Sequence, residues 1–194
     1  MSEKQNLFGW FIQNWALAGI PLAIFLIVIS PFIYMGTGFP FILIYLLLPL
    51  YMFHQYEEHS KGQFKMYVNH VVGQGKEIFT DKSIFYINVL AVWLAYVIIL
   101  YVYVFIGSVW GLIAGYMTVL NGLLHTVMSI RKREYNPGLW TSLFLFIPIG
   151  VYVIYEIGRL PGTGLIAHLI ALGIAILVHA SIFTYALQKL HKKS

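Results

Sequence analysis

The sequence has no cysteine and very little charge. Without cysteine there is no disulfide, no thiolate zinc site and no cysteine nucleophile, and the redox compartment is left open. Charged residues make up 10% of the 194, and only 7 residues are acidic. A soluble domain carries about 25% charged and roughly 45–50% apolar residues. Here 60% are hydrophobic and the mean hydropathy is +0.80. A globule of this size cannot hide so much apolar surface from water, so the bilayer must be its main solvent. That excludes a disordered chain, a soluble nucleic-acid binder, an ordinary cytosolic enzyme and a second, soluble domain. No repeat or low-complexity segment is present. What remains is a single integral membrane domain over 1–194.

A membrane helix needs about 20 mostly apolar residues, and six stretches qualify: 8–34, 38–55, 83–103, 105–130, 139–157 and 165–187. The expected fold is all-α, a polytopic six-helix transmembrane bundle. Pro21, Pro31, Pro49 and Pro148 fall inside these spans and are expected to bend them. The first span has a single Lys4 before it, runs long and lacks a small-x-small cleavage site, so it reads as retained and not as a signal peptide.

The links alternate sharply in charge. Lys4, Lys61, Lys65, Lys76, Lys82, Arg131, Lys132, Arg133, Lys189, Lys192 and Lys193 all fall on the side of the N-terminus, and only Arg159 falls on the other. The positive-inside bias therefore predicts both termini in the cytoplasm and a cytoplasmic (inner) membrane location, with membrane lipids as partners and no nucleic acid. Between the second and third spans, the link 60–82 carries Phe64, Tyr67, Val68, Val71 and Val72 at helical spacing. It reads as an amphipathic helix on the inner leaflet, or as a lid over a site, and the two are compatible.

Ionisable groups inside a bilayer are costly and mark functional candidates. His54, Glu57 and Glu58 close the second span, Asn121 and His125 lie near the inner end of the fourth, and Thr141 and Ser142 open the fifth. Asn14, Asn88 and His179 sit at similar depth in the others. One polar layer, and a polar cavity opening inward, is the economical reading. Offsets of three and four return to one helix face, so His54, Glu57 and Glu58 share a stripe with Tyr51, while His59 points elsewhere. Asn121 and His125 likewise share a face, with Thr118 one turn earlier. This set suits a divalent metal, zinc or iron, on His54, Glu57, Glu58 and His125. It equally suits a metal-free site with a Glu as general base and His or Asn at the developing oxyanion.

Plainer readings apply elsewhere. His168 reads as a buried histidine bonded to a neighbouring helix, and His179 as either packing or site. Asn14 and Asn88 read as interhelical hydrogen-bond partners, Glu156 and Arg159 as an interfacial ion pair, and Gly107, Gly111 and Gly115 as a helix-packing stripe.

His54-Gln55-Tyr56-Glu57-Glu58 fits HxxEE, Asn121 to His125 fits NxxxH, and Tyr135-Asn136-Pro137-Gly138-Leu139-Trp140-Thr141 fits YxPGxxT. Together and in this order they resemble the bacterial integral-membrane family named for its HXXEE motif. The resemblance nominates those motif residues but names no reaction. A weaker likeness is to the prenyl-protein endopeptidases (CAAX proteases), which pair a Glu doublet with two His motifs; here the following Arg is missing and the second motif is reversed. In the third motif, Pro137 and Gly138 form a re-entry turn. The helix start near Thr141 would favour an anion, so Tyr135, Gly138, Thr141 and His179 are candidate substrate-binding residues.

The functional expectation is a membrane enzyme acting by hydrolysis or proton transfer on a lipid or other hydrophobic small molecule. Glu57, Glu58, His54, His125 and Asn121 would form its catalytic group. A proton-coupled transporter or channel, and a non-catalytic membrane binding or regulatory protein, are the alternatives.

Overall fold

Helices that are apolar all round are stable only when lipid or other helices cover every face, and this chain builds almost nothing else. The computed structural model describes residues 7–191; Lys4, Lys192 and Lys193 lie outside them. Six helices among the described residues are long and apolar enough to cross a membrane. They are α1 (Leu7–Thr37), α2 (Phe39–His59), α4 (Asp81–Phe105), α5 (Ser108–Lys132), α6 (Leu139–Gly158) and α7 (Leu165–His191), with a short α3 (Gln63–Tyr67) in the link. The apolar runs thus locate the spans, and the ends extend by a few residues.

The helix α2 is the axis of the bundle. Over the most apolar window of its span 56% of residues are buried, against 11–33% in the other five. It packs on α1, α4, α5 and α6. Large apolar side chains such as Phe25, Val28, Ile166 and Leu177 stand outward at half exposure or more, as a lipid-facing surface requires. At the α5–α6 crossing, a Cβ added at Gly115 would stand 2.8 Å from Cγ1 of Ile154 and one at Gly150 2.7 Å from Cγ2 of Val119, each with the opposite backbone just behind. This close approach is the packing device expected of small residues. Gly111 packs similarly under Ile44, but Gly107 lies in the break before α5, where the chain turns, and not on the packing stripe.

Helix α1 keeps helical backbone angles at its prolines. Inside α1 the non-helical backbone is at Asn14 (φ −119°, ψ 15°), not at Pro21 or Pro31. The Asn14 amide bonds to the carbonyl of Trp10 in its own helix, at 2.9 Å, which corrects the interhelical reading. Pro148 follows a π-helical stretch, Ser142–Phe146. Such a widened turn absorbs the missing N–H and the ring without breaking the helix. Asn88 does cross between helices: its carbonyl accepts from Gln55 at 2.9 Å, and the Gln55 carbonyl accepts from the Trp93 indole at 2.5 Å. His168 is half-buried and meets the Tyr116 hydroxyl of a neighbouring helix at 2.9 Å, and Arg159 stands 3.9 Å from Glu156.

The link folds back on the bundle. Asn69 pins it, its carbonyl accepting from the backbone of Ile78 (2.9 Å) and Phe79 (3.0 Å) while its amide donates to the Phe79 carbonyl. Phe64, Tyr67, Val68 and Val72 then line a cavity instead of facing outward. Thr80 and Ser83 form a reciprocal cap that starts α4.

Candidate metal centre

Three segments far apart in sequence converge at one end of the bundle: the end of α2, the last turns of α5 and the turn that starts α6. His54 is fully buried. Its ring lies 4.2 Å from that of Phe146, 4.9 Å from His125 and 5.7 Å from Tyr51, centroid to centroid. Packing on three sides leaves the ring little freedom.

Glu57 and Glu58 part company. Successive helical residues point about 100° apart, and here each carboxylate meets a different neighbour. Glu57 turns to the start of α6. Its Oε1 accepts from the Tyr135 hydroxyl (2.9 Å) and the Trp140 N–H (3.0 Å), and its Oε2 from the Thr141 N–H (2.7 Å) and hydroxyl (2.6 Å). The free N–H groups and positive dipole end of a helix start favour an anion. The anion that fills this start is the chain's own Glu57, not part of a substrate. Partial burial and the carboxylate at its hydroxyl push the Tyr135 phenol up to about 12.

Thr141 also lies 2.7 Å from Nδ1 of His54. A hydroxyl has one proton, and Thr141 gives it to Glu57. Nδ1 of His54 must therefore carry the hydrogen donated to Thr141 Oγ1, which leaves Nε2 with a lone pair. His125 is set the same way, its Nδ1 3.2 Å from the carbonyl oxygen of Asn136. Both free Nε2 atoms face Glu58, at 3.6 Å for His54 and 3.4 Å for His125. Nε2 of His54 is buried with no hydrogen-bond partner. Acceptors thus confront acceptors in a buried space, an arrangement that needs a cation or a proton between them.

The ligand atoms of His54, Glu58 and His125 all lie within 4.8 Å of one another, and this group could hold a metal ion. Bonds of 2.0–2.1 Å in a tetrahedron put ligand atoms about 3.4 Å apart, which suits these spacings. Two histidines and one carboxylate form a donor set for zinc or iron. Glu57, expected among the ligands, stands outside it because the α6 start has captured it.

Gly138 explains part of the third motif. Its φ is +92°, and a Cβ there would stand 2.8 Å from Cε1 of His54 and 3.0 Å from Cε1 of His125. Only glycine suits both the left-handed backbone and the closeness of the two rings.

His59 overturns its expectation. It is buried, its Nε2 3.1 Å from Glu58 Oε2 and its ring 5.1 Å from Trp15. The helix ends at this residue (φ −108°, ψ −8°), so the helical spacing that pointed it away no longer applies. Asn136 was not singled out by sequence, although it sits inside the third motif, eleven positions after His125. Thr118 serves the core, bonded to Tyr96 at 2.7 Å and to the carbonyl of Ala114.

A cavity of about 280 Å³ adjoins the cluster, lined by Glu58, His125, Asn121, Asn136 and His179 among others. It is not the polar cavity expected: most of its wall is apolar, supplied by the link, α4, α5 and α7. Asn121 sits beside the Tyr51 hydroxyl, and its carbonyl oxygen is buried without a donor. His179 is tied through Nδ1 to the carbonyl of Ala175 at 2.8 Å.

Fold and site together define a polytopic helical protein of the membrane type with a buried two-histidine, one-carboxylate cluster. The stretch 45–153, more than half of the chain, matches the family described as a protein of unknown function with an HXXEE motif, and the chain belongs to that family. No curated protein and no solved structure matches it. The weaker likeness to prenyl-protein endopeptidases draws no support from these comparisons.

Proposed function

We propose that the protein is a membrane enzyme in which His54, Glu58 and His125 hold one divalent cation, zinc or iron, and which hydrolyses an apolar substrate reached through the adjoining cavity. One observation carries this reading: two Nε2 lone pairs and a carboxylate converge, with Thr141 and Asn136 fixing the tautomers that free those lone pairs. A cation there would supply a Lewis acid and lower the pKa of water toward neutrality. The chain's own part is to orient the ligands through Glu57, Thr141 and Asn136. Asn121 of α5 and His179 of α7 both line the cavity, the first to bind and the second to move a proton, and the mostly apolar lining excludes bulk water.

The basic residues supply the orientation: the site lies toward the cytoplasmic face, with both termini on that side. The absence of cysteine makes the test clean. Lys76→Cys should react with an impermeant maleimide from the cytoplasmic side, and Arg159→Cys from the other.

Metal content decides the main proposal. Protein purified in lipid nanodiscs, stripped and reloaded, should hold about one zinc or iron per chain. His54→Ala and His125→Ala should each hold less than a tenth of that. A wild type that takes up neither ion overturns the reading. Hydrolysis is tested on a series of acyl esters, whose cleavage should depend on the ion and vanish in Glu58→Gln.

A further inference from the structure

The cavity beside the cluster is far larger than the water-sized gaps left by close-packed interiors, so it is built into the fold. Glu58, Asn121, His125 and Asn136 stand together on its lining next to the cluster, and Tyr67, Asn88 and His179 line it elsewhere. Glu58 contacts His125 at 3.4 Å, His125 contacts Asn136 at 3.2 Å, and Asn121 lies one helical turn before His125. The rest of the lining is mostly apolar: Phe64 and Phe79 from the link, Ile87 from α4, and Ile182 and Ala186 from α7. A volume of about 280 Å³ accommodates roughly nine methylene groups at ~30 Å³ each, about the share of one water, so it fits one alkyl chain and not two.

The head of such a molecule is specified by Asn121. Its carbonyl oxygen is buried at the cavity wall and finds no donor in the protein. A buried acceptor calls for a hydroxyl or an amide N–H. A carboxylate or phosphate head offers it nothing and meets Glu58 close by.

We propose that the cavity binds a single-chain amphiphile with a hydrogen-bond-donating head, an alcohol or a secondary amide. Its alkyl chain lies between the link, α4 and α7, and its head is seated on Asn121 beside Glu58 and His125. This rests on the reading of the site as one for an apolar substrate, and it adds the chain number, the head chemistry and the residue that selects it. The cavity-facing side of the link then acts as the roof over the chain.

The test uses octanol carrying a diazirine at its far end, photolysed with the full chain in nanodiscs, with adducts mapped by peptide mass spectrometry. Adducts are expected on the peptides holding Phe64, Phe79 and Ile182, and they should disappear in Ile182→Trp, which fills the chain space. Asn121→Leu should lower cavity adducts of the alcohol about tenfold, as loss of one satisfied buried hydrogen bond implies. The same variant should not change those of the matching octane diazirine. Adducts confined in the wild type to outward residues such as Leu177 and Ile166 overturn the proposal, whether or not either variant folds. So does equal labelling by alcohol and alkane. Metal content of the same sample keeps the two readings apart. Cavity adducts without metal uphold this site and sink the metal; bound metal without cavity adducts does the reverse.

Discussion

The hydroxyl of Thr141 stands 2.7 Å from Nδ1 of His54 across 87 positions of sequence, and it passes the orientation of one helix start to one imidazole. Its shortest contact, 2.6 Å to Glu57, fixes which way that hydroxyl points. Outer partners of this kind hold the tautomer of a metal-binding histidine.

Thr141→Val keeps the volume and removes the relay. Zinc affinity is expected to fall about 10–100-fold, the usual cost of losing an outer-shell partner, and the metal-free protein should lose about 1–3 kcal/mol of stability because the buried Nδ1–H of His54 is left without an acceptor. Thr141→Ser should restore most of the affinity. Competition against a fluorescent zinc chelator measures both.

The two glutamates are expected to fail differently. Glu58→Gln removes a ligand and should abolish stoichiometric metal binding. Glu57→Gln weakens the acceptor of four donors and should lower stability by about 1–3 kcal/mol, while some metal is still bound at reduced affinity. Metal analysis beside thermal unfolding in the same detergent separates the two outcomes, and equal metal loss in both variants would count against the division.

Gly138→Ala is expected to act on both histidines at once. The added Cβ meets both rings at about 3 Å and the backbone must hold a left-handed φ. The left-handed conformation alone costs roughly 1–2 kcal/mol for a non-glycine residue. Loss of metal binding and a lowered melting temperature should appear together.

Tyr135 should ionise late. Its phenol sits near 12 against an ordinary 10.0, so the folded state keeps that proton more tightly than the unfolded chain. The sign follows: its contribution is fully present below pH 10 and is lost as pH rises toward 12. In a spectrophotometric titration, Tyr135→Phe should lack one late-ionising tyrosine. A missing component near pH 10 instead would show the Glu57 contact to be absent.

The network at Asn88 serves as the control. Asn88→Leu removes the Gln55 contact and should cost about 0.6–2 kcal/mol, the range of interhelical hydrogen bonds in membranes. Metal affinity should be unchanged.

Six apolar runs and the three motifs were legible in the sequence because hydropathy and helical offsets are local properties. The grouping of His54, Glu58 and His125 followed from facing stripes. Which glutamate joins the two histidines did not, since offsets of three and four from His54 are equally good on a bare helix. The choice was made by the N–H groups of Trp140 and Thr141, over 80 positions away. His59 was lost to the same locality, because the helix ends on it. Asn136 carries no periodic signal at all. The cavity was misjudged because polar residues stand out in such a sequence, whereas Phe64, Phe79 and Ile182 look like any other apolar residue until the link folds back.

Because the glutamate doublet reaches two neighbours at once, α2 acts as a key with two teeth. Turning it by one residue, about 100°, pulls Glu57 from the start of α6 and Glu58 from His125 in a single movement. A rotation of α2 that frees the α6 start therefore also draws Glu58 away from His125, so the two contacts are lost together in that movement.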